Sequence, residues 1–206
     1  MKKTRWLVLI SACAAVTAVF SLSAQAIRIG EPAPDFTHAD THGVERGLSE
    51  YHGQYVVLEW TNRGCPYTRK QYESGNMQRL QRQWTARGVI WLTVISSAPG
   101  KQGYMTAGEE NTYLATEHSS PTAALLDPSG KLGHLYGAKT TPHMFVINPQ
   151  GVLIYDGAID NKPTTDIADV PGATNYVSLA LKEAMAGQRV SSPVTRPYGC
   201  SVKYAQ

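Results

Sequence analysis

The residues best suited to chemistry lie in one stretch, Glu59-Trp60-Thr61-Asn62-Arg63-Gly64-Cys65-Pro66-Tyr67-Thr68-Arg69-Lys70. It follows the apolar, β-branched run Tyr55-Val56-Val57-Leu58, which has the length and composition of a buried strand. Asn62-Arg63-Gly64 is turn chemistry, and Pro66 suits the first position of a helix, where no N–H is needed and φ is already helical. Cys65 is then expected to cap a helix reached directly from a central strand. A thiol at that position faces free backbone N–H groups and the positive end of the helix dipole, which both favour the thiolate. Arg63, and Arg69 on the same helix face, are expected to add to that field. The thiolate is the nucleophilic form, so the pattern describes a reactive cysteine. The plain alternative is a small buried hydrophobe; the combination of strand, turn, Cys-Pro and cations favours reactivity.

Further chemistry depends on which other groups reach this sulfur. Thr68 is a candidate hydroxyl donor to the thiolate, the alternative being an ordinary helix-surface residue. His143 has the type of a proton donor or metal ligand, although a strand histidine directed elsewhere is the preferred reading. His38, His42, His52, His118 and His134 show no ligand spacing, and no metal or other cofactor is expected. Cys200 is the one other cysteine outside the first 26 residues. One reading makes it a resolving cysteine that attacks a mixed disulfide or sulfenic acid on Cys65. The other makes it half of a permanent staple, which across so long a loop adds roughly 4–5 kcal/mol in the chain-entropy model. The redox reading is preferred, because a helix N-cap favours release of thiolate and so makes such a bond easier to reduce.

The elements that must position these groups follow from pattern. Residues 1–26 have the form of a secretory signal, with Lys2, Lys3 and Arg5, an apolar stretch from Trp6 to Leu22 and Ala24-Gln25-Ala26 as a cleavage site. A lipoprotein reading, with Cys13 as lipid anchor, would be the only route to a membrane and is the less favoured. Three of the 19 Lys and Arg and none of the 16 Asp and Glu fall in this segment, so the remaining chain balances at zero. Nothing there suggests a nucleic-acid partner. Residues 27–187 form one domain by length, and residues 188–206 a tail carrying Cys200.

Within the domain, Pro32 and Pro34 keep the opening extended, Asp40-Thr41-His42-Gly43 is a turn, and residues 48–53 make a short helical turn. The helix after Pro66 is expected to break at Ser74-Gly75-Asn76 and to continue with Met77, Leu80 and Trp84 at helical spacing. Val89–Ile95 is a strand buried on both faces, Thr106 with Glu109 a capping box, and residues 122–126 a short strand. His143–Ile147 and Val152–Tyr155 form a hairpin about Asn148-Pro149-Gln150-Gly151, and Val177, Ala180, Leu181 and Ala184 mark a last helix. This alternation implies an α/β fold with a central mixed β-sheet and helices on both faces.

The order resembles the thioredoxin-like fold, and three motifs resemble its redoxin branch, the alkyl hydroperoxide reductase/thiol-specific antioxidant and secreted thioredoxin-like proteins. They are Pro32-Ala33-Pro34-Asp35-Phe36 with Asp40 and Gly43, then Trp60 and Cys65-Pro66 with Arg69-Lys70, then Thr141-Pro142. The resemblance covers roughly residues 29–187. It implies a thiol oxidoreductase; with the export signal and the tail cysteine read above, the expected catalytic group is Cys65, Cys200, Thr68 and Arg69. It further implies a cis Pro142 loop facing Cys65, with Thr141, Pro142 and Trp60 meeting the substrate. The implied partners are a protein or small-molecule thiol or disulfide and an external thiol reductant. Two departures stand out. Thr68 replaces the second cysteine of Cys-x-x-Cys, so the turn cannot close a disulfide on itself. Leu58 and Asn62 hold the places of the proline and threonine in a peroxiredoxin site, Pro-x-x-x-Thr-x-x-Cys, which disfavours efficient peroxide reduction. The rival functions are a thiol peroxidase using the same two cysteines and a non-catalytic binding domain, such as a copper site of Cys65, His143 and Cys200.

Overall fold

The structure, a computed structural model, describes residues 27–205. The expected export signal and Cys13 lie outside the described residues. Five strands form the central sheet in the order β5-β4-β3-β7-β8, comprising β3 Val56–Trp60, β4 Ile90–Ile95, β5 Ala123–Leu126, β7 His143–Ile147 and β8 Leu153–Gly157. β3 lies parallel to β4 and antiparallel to β7, and β4 lies parallel to β5, so the sheet is mixed. β3 is therefore central, and its five residues are all buried, as a run of Val, Leu and Trp between two layers requires.

Period-two alternation divides β3 between two cores. Val56, Leu58 and Trp60 join Leu92, Val94 and Phe145 beneath α4 (Lys131–Tyr136), while Val57 packs with Trp91, Met144 and Val146 against the other helices. Those are α2 (Asn76–Thr85), contributing Met77, Leu80 and Trp84, and α5 (Tyr176–Met185), contributing Val177, Ala180 and Leu181. The break between α1 (Pro66–Glu73) and α2 falls at Gly75, in the left-handed region at φ 70°. α3 (Ala107–Thr116) starts at the Thr106–Glu109 capping box. Among the elements without a signal in the sequence are α4 and the small hairpin of β1 (Thr37–Ala39) and β2 (Glu45–Gly47). Both are short, and α4 is held by contacts rather than by periodicity, with Leu132 and Tyr136 buried in the core. Among the described residues no helix is long and apolar enough to cross a membrane.

The tail is laid along the domain rather than detached from it. The Asp156 N–H donates to the Pro193 carbonyl at 3.0 Å, and Thr195 returns a bond to the Asp156 carbonyl at 3.1 Å. Farther on, Cys200 and Ser201 form β9, paired antiparallel with β6 (Thr140–Thr141), with Thr141 opposite Cys200. Val190 and Val202 are buried in the two cores.

Candidate active site

Cys65 caps α1 as expected, with extended backbone (φ −84°, ψ 123°) and Pro66 in the first turn. The turn before it is fixed by Asn62, whose Oδ1 accepts the Gly64 N–H at 2.8 Å while Nδ2 donates to the Gln102 carbonyl at 3.0 Å. Gln102 reciprocates by donating to the Gly64 carbonyl at 2.8 Å. A Cβ at Gly103 would stand 2.2 Å from the Asn62 amide oxygen, so the loop packs there through glycine. Asn62 at this position is a turn-holder, which gives the departure from a peroxidase site a structural meaning.

The Cys65 sulfur is completely buried, and the Cys65 thiol donates to the Thr141 carbonyl at 3.0 Å. The Thr141–Pro142 peptide is cis, as the resemblance implied. The Cys200 N–H also donates to the Cys65 sulfur, at 3.4 Å. Two residues 135 apart in sequence are thus brought together by the pairing of β6 with β9. Both are free thiols here, Cys65 buried and Cys200 partly exposed.

Burial by itself would push the Cys65 thiol up. The Cys200 thiol, the neighbouring Thr141 and the N–H groups of Thr68 and Cys200 outweigh burial and leave Cys65 below its ordinary value. The Thr141 hydroxyl oxygen itself has no hydrogen-bond partner. Cys200 moves the other way, pushed up to about 11 by its own burial and by Cys65. One thiolate and one thiol is the arrangement this pair favours.

Three of the expected contributors are placed differently. Thr68 is buried under the turn, and its hydroxyl has no hydrogen-bond partner; its contribution to the sulfur comes from the backbone N–H. Arg69 does not lean toward Cys65, because its guanidinium pairs with Glu73 at 2.8 Å and its side chain is 57% exposed. Trp60, expected to meet the substrate, is fully buried among Tyr136 and Phe145 with its Nε1–H donated to Ser96 at 3.0 Å. In a strand buried on both faces, alternation puts Trp60 in the core with Val56 and Leu58. His143 is turned away from the sulfur, with Nδ1 accepting the Lys139 N–H and Nε2 donating to Asp156 at 2.8 Å. Among the described residues no three His, Cys, Asp or Glu side chains gather as a metal-ligand set.

Lys70, Asp160 and Glu59 were not singled out for these roles. Lys70 is 1% exposed and donates to the Lys162 carbonyl and Thr164, pinning the 158–174 loop to α1. Asp160 accepts from Gln71 at 2.8 Å and from Tyr198 at 2.5 Å, joining α1 to the tail. Glu59 is buried on β3, accepting from Tyr72 and Trp91, each at 2.8 Å, and from Gln81 at 3.2 Å. Burial pushes its carboxyl up to about 7. An acid inside an apolar strand was the available signal for Glu59.

The mixed sheet, the capped Cys-Pro turn and the facing Thr-Pro loop together define a thioredoxin-like thiol protein. The chain belongs to the AhpC/TSA family, whose model matches residues 29–156. No curated protein matches it. Among solved structures it is similar to an uncharacterized conserved protein from Geobacillus kaustophilus, at 18% identity and TM-score 0.75, covering 87% of this chain and 93% of that one. A hypothetical protein from Sinorhizobium meliloti 1021 shares 20% identity and TM-score 0.70, over 88% of this chain and 97% of that one. A Chlorobium tepidum protein described as a thiol:disulfide interchange protein DsbE shares 25% identity and TM-score 0.52, over 64% and 85%. The family match ends at Asp156, so Cys200 and its strand lie beyond it.

Proposed function

We propose that the protein is an exported thiol-disulfide oxidoreductase in which Cys65 is the nucleophile and Cys200 the resolving cysteine. The observation that carries this reading is the Cys200 N–H on the Cys65 sulfur, delivered by the Thr141–Cys200 register. The Cys65 thiolate attacks a substrate disulfide, forming a mixed disulfide and expelling one substrate thiolate. Cys200 then gives up its proton and attacks the Cys65 sulfur, closing Cys65–Cys200 and releasing the second substrate thiol. An external thiol reductant restores the pair. Thr141 and Pro142 line the approach, with the Thr141 carbonyl directing the thiol. Residues 1–26 serve as the export signal, residues 27–187 as the redox domain and residues 188–206 as the resolving tail, with periplasmic or secreted delivery.

The test is Cys200→Ser. This variant forms the first adduct on Cys65 but fails to release it without added thiol, so mass spectrometry finds the mixed disulfide accumulating. Normal turnover by the variant would remove Cys200 from the mechanism. A wild-type bond that mild reductant cannot open would make it a staple.

The family match supports a second reading, a thiol-dependent peroxidase on the same pair. Asn62, committed to holding the turn, argues for disulfide as the faster oxidant. Peroxide consumption outpacing disulfide exchange in the reduced protein would reverse that order.

A further inference from the structure

β6 has two residues, and its backbone edge beside Cys65 is already taken by β9. An extended polypeptide docks on such an edge through main-chain hydrogen bonds. Here those groups are engaged by the chain itself, and β9 is fastened on both sides. Before it, Tyr198 packs its ring against Tyr67 on α1 at 5.8 Å and donates to the buried Asp160. After it, the Val202 N–H donates to the Lys139 carbonyl at 3.1 Å, and Ala98 donates to the Lys203 carbonyl at 2.8 Å. Tyr204 then reaches the Ala138 carbonyl at 2.7 Å and stacks on His134.

The closeness of this fit depends on Gly199. Its φ of 135° is a region L side chains rarely adopt, and a Cβ there would stand 2.1 Å from the Thr141 carbonyl oxygen and 2.8 Å from its carbon. Both obstacles are backbone, so nothing flexible could yield. The same carbonyl accepts the Cys65 thiol, so the tail closes directly over the nucleophile.

We infer that residues 198–202 occupy the docking edge permanently enough to set the substrate class, so that the pair exchanges with compact disulfides and discriminates against polypeptides. This rests on the thiol-disulfide reading proposed above. A compact disulfide needs only the two-residue strand to shift from the Cys65 sulfur. A polypeptide needs the whole edge cleared, including the fastenings at Tyr198 and at Val202 to Tyr204. The chemistry balances with the disulfide as oxidant. Its S–S bond breaks, the Cys65–Cys200 bond forms, and the two departing thiolates take up the two protons that the protein thiols lose.

The experiment compares reduced full-length protein reacting with glutathione disulfide and with the disulfide-linked dimer of a single-cysteine decapeptide. Loss of the two protein thiols is read by alkylation quench and mass spectrometry. In the wild type the decapeptide reacts slower by about tenfold or more; in Gly199→Ala, which cannot keep the close approach, the two rates come within about threefold of each other. Tyr198→Ala, which loosens the fastening and leaves the strand backbone alone, narrows the ratio in the same direction and serves if the glycine variant does not fold. Equal rates in the wild type, or an unchanged ratio in the folded variants, would overturn the inference. A wild type that forms no Cys65–Cys200 bond with either reagent, or a Cys65→Ser variant that reacts undiminished, would instead defeat the oxidoreductase reading itself.

Discussion

The sulfur of Cys65 is held by hydrogen bonds that come from backbone and from Cys200, and each side chain around it can be asked separately what it adds. Its alkylation rate should rise through an inflection below that of an ordinary thiol, near 8.5. An inflection at or above that value would mean that burial wins over hydrogen bonding. Thr68→Val discriminates further. The hydroxyl is buried without a partner, so a methyl in its place should leave stability unchanged or slightly raised. Because the contribution of Thr68 to the thiolate is its N–H, the inflection should stay where it is. A marked rise in the variant would restore the hydroxyl to the role the sequence suggested. Arg69→Ala likewise removes only an exposed pair with Glu73, worth about 0–1 kcal/mol.

Elements explain why some residues were legible and others were not. The β3 strand, the Cys-Pro cap, the break at Gly75, the Thr106 capping box and the hairpin around residue 150 all carry local signals, and each is found in place. Trp60 was read by its neighbourhood in the motif, yet its direction is decided by strand alternation, which puts it in the core with Leu58. Trp60→Ala should therefore cost about 3–5 kcal/mol as a cavity, while the exchange rate of the folded fraction is kept. Loss of substrate affinity without loss of melting temperature would point back to a binding role. Asn62 has the opposite history, read as a missing threonine and found clamping the turn. Asn62→Ala should destabilise by about 1–3 kcal/mol, since it leaves the Gly64 N–H and the Gln102 carbonyl without their partner. The pairing of β9 with β6 has no local signature at all. Two residues at the far end of a proline-bearing tail show no alternation, and only the cysteine itself hinted that the segment returns to the domain.

At the scale of the molecule, the buried acids give the fold a pH dependence. Burial raises Glu59 to about 7 from an ordinary value near 4.5, and Glu110, buried and near that charge, is also pushed up to about 7. A carboxyl raised on folding binds its proton more tightly in the native state. Its stabilising contribution is whole below about 4.5 and is lost as pH climbs through about 7. Wild-type melting temperature should fall across that window, and Glu59→Gln should flatten the fall, the share at stake being about 3 kcal/mol at most. Parallel curves for the two proteins would assign the slope elsewhere. The tail has a consequence of another kind, concerning the order in which the molecule comes into being. A chain made from its N-terminus holds all of β1 to β8, with the capped cysteine, before residue 200 exists. During that interval nothing from the tail covers Cys65, and the unfinished molecule presents its sulfur to whatever thiols, disulfides or bulky alkylating reagents surround it. A ribosome-held chain carrying residues 1–187 followed by an unrelated linker long enough to bring them clear of the ribosome should react at Cys65 with reagents that the finished protein turns away.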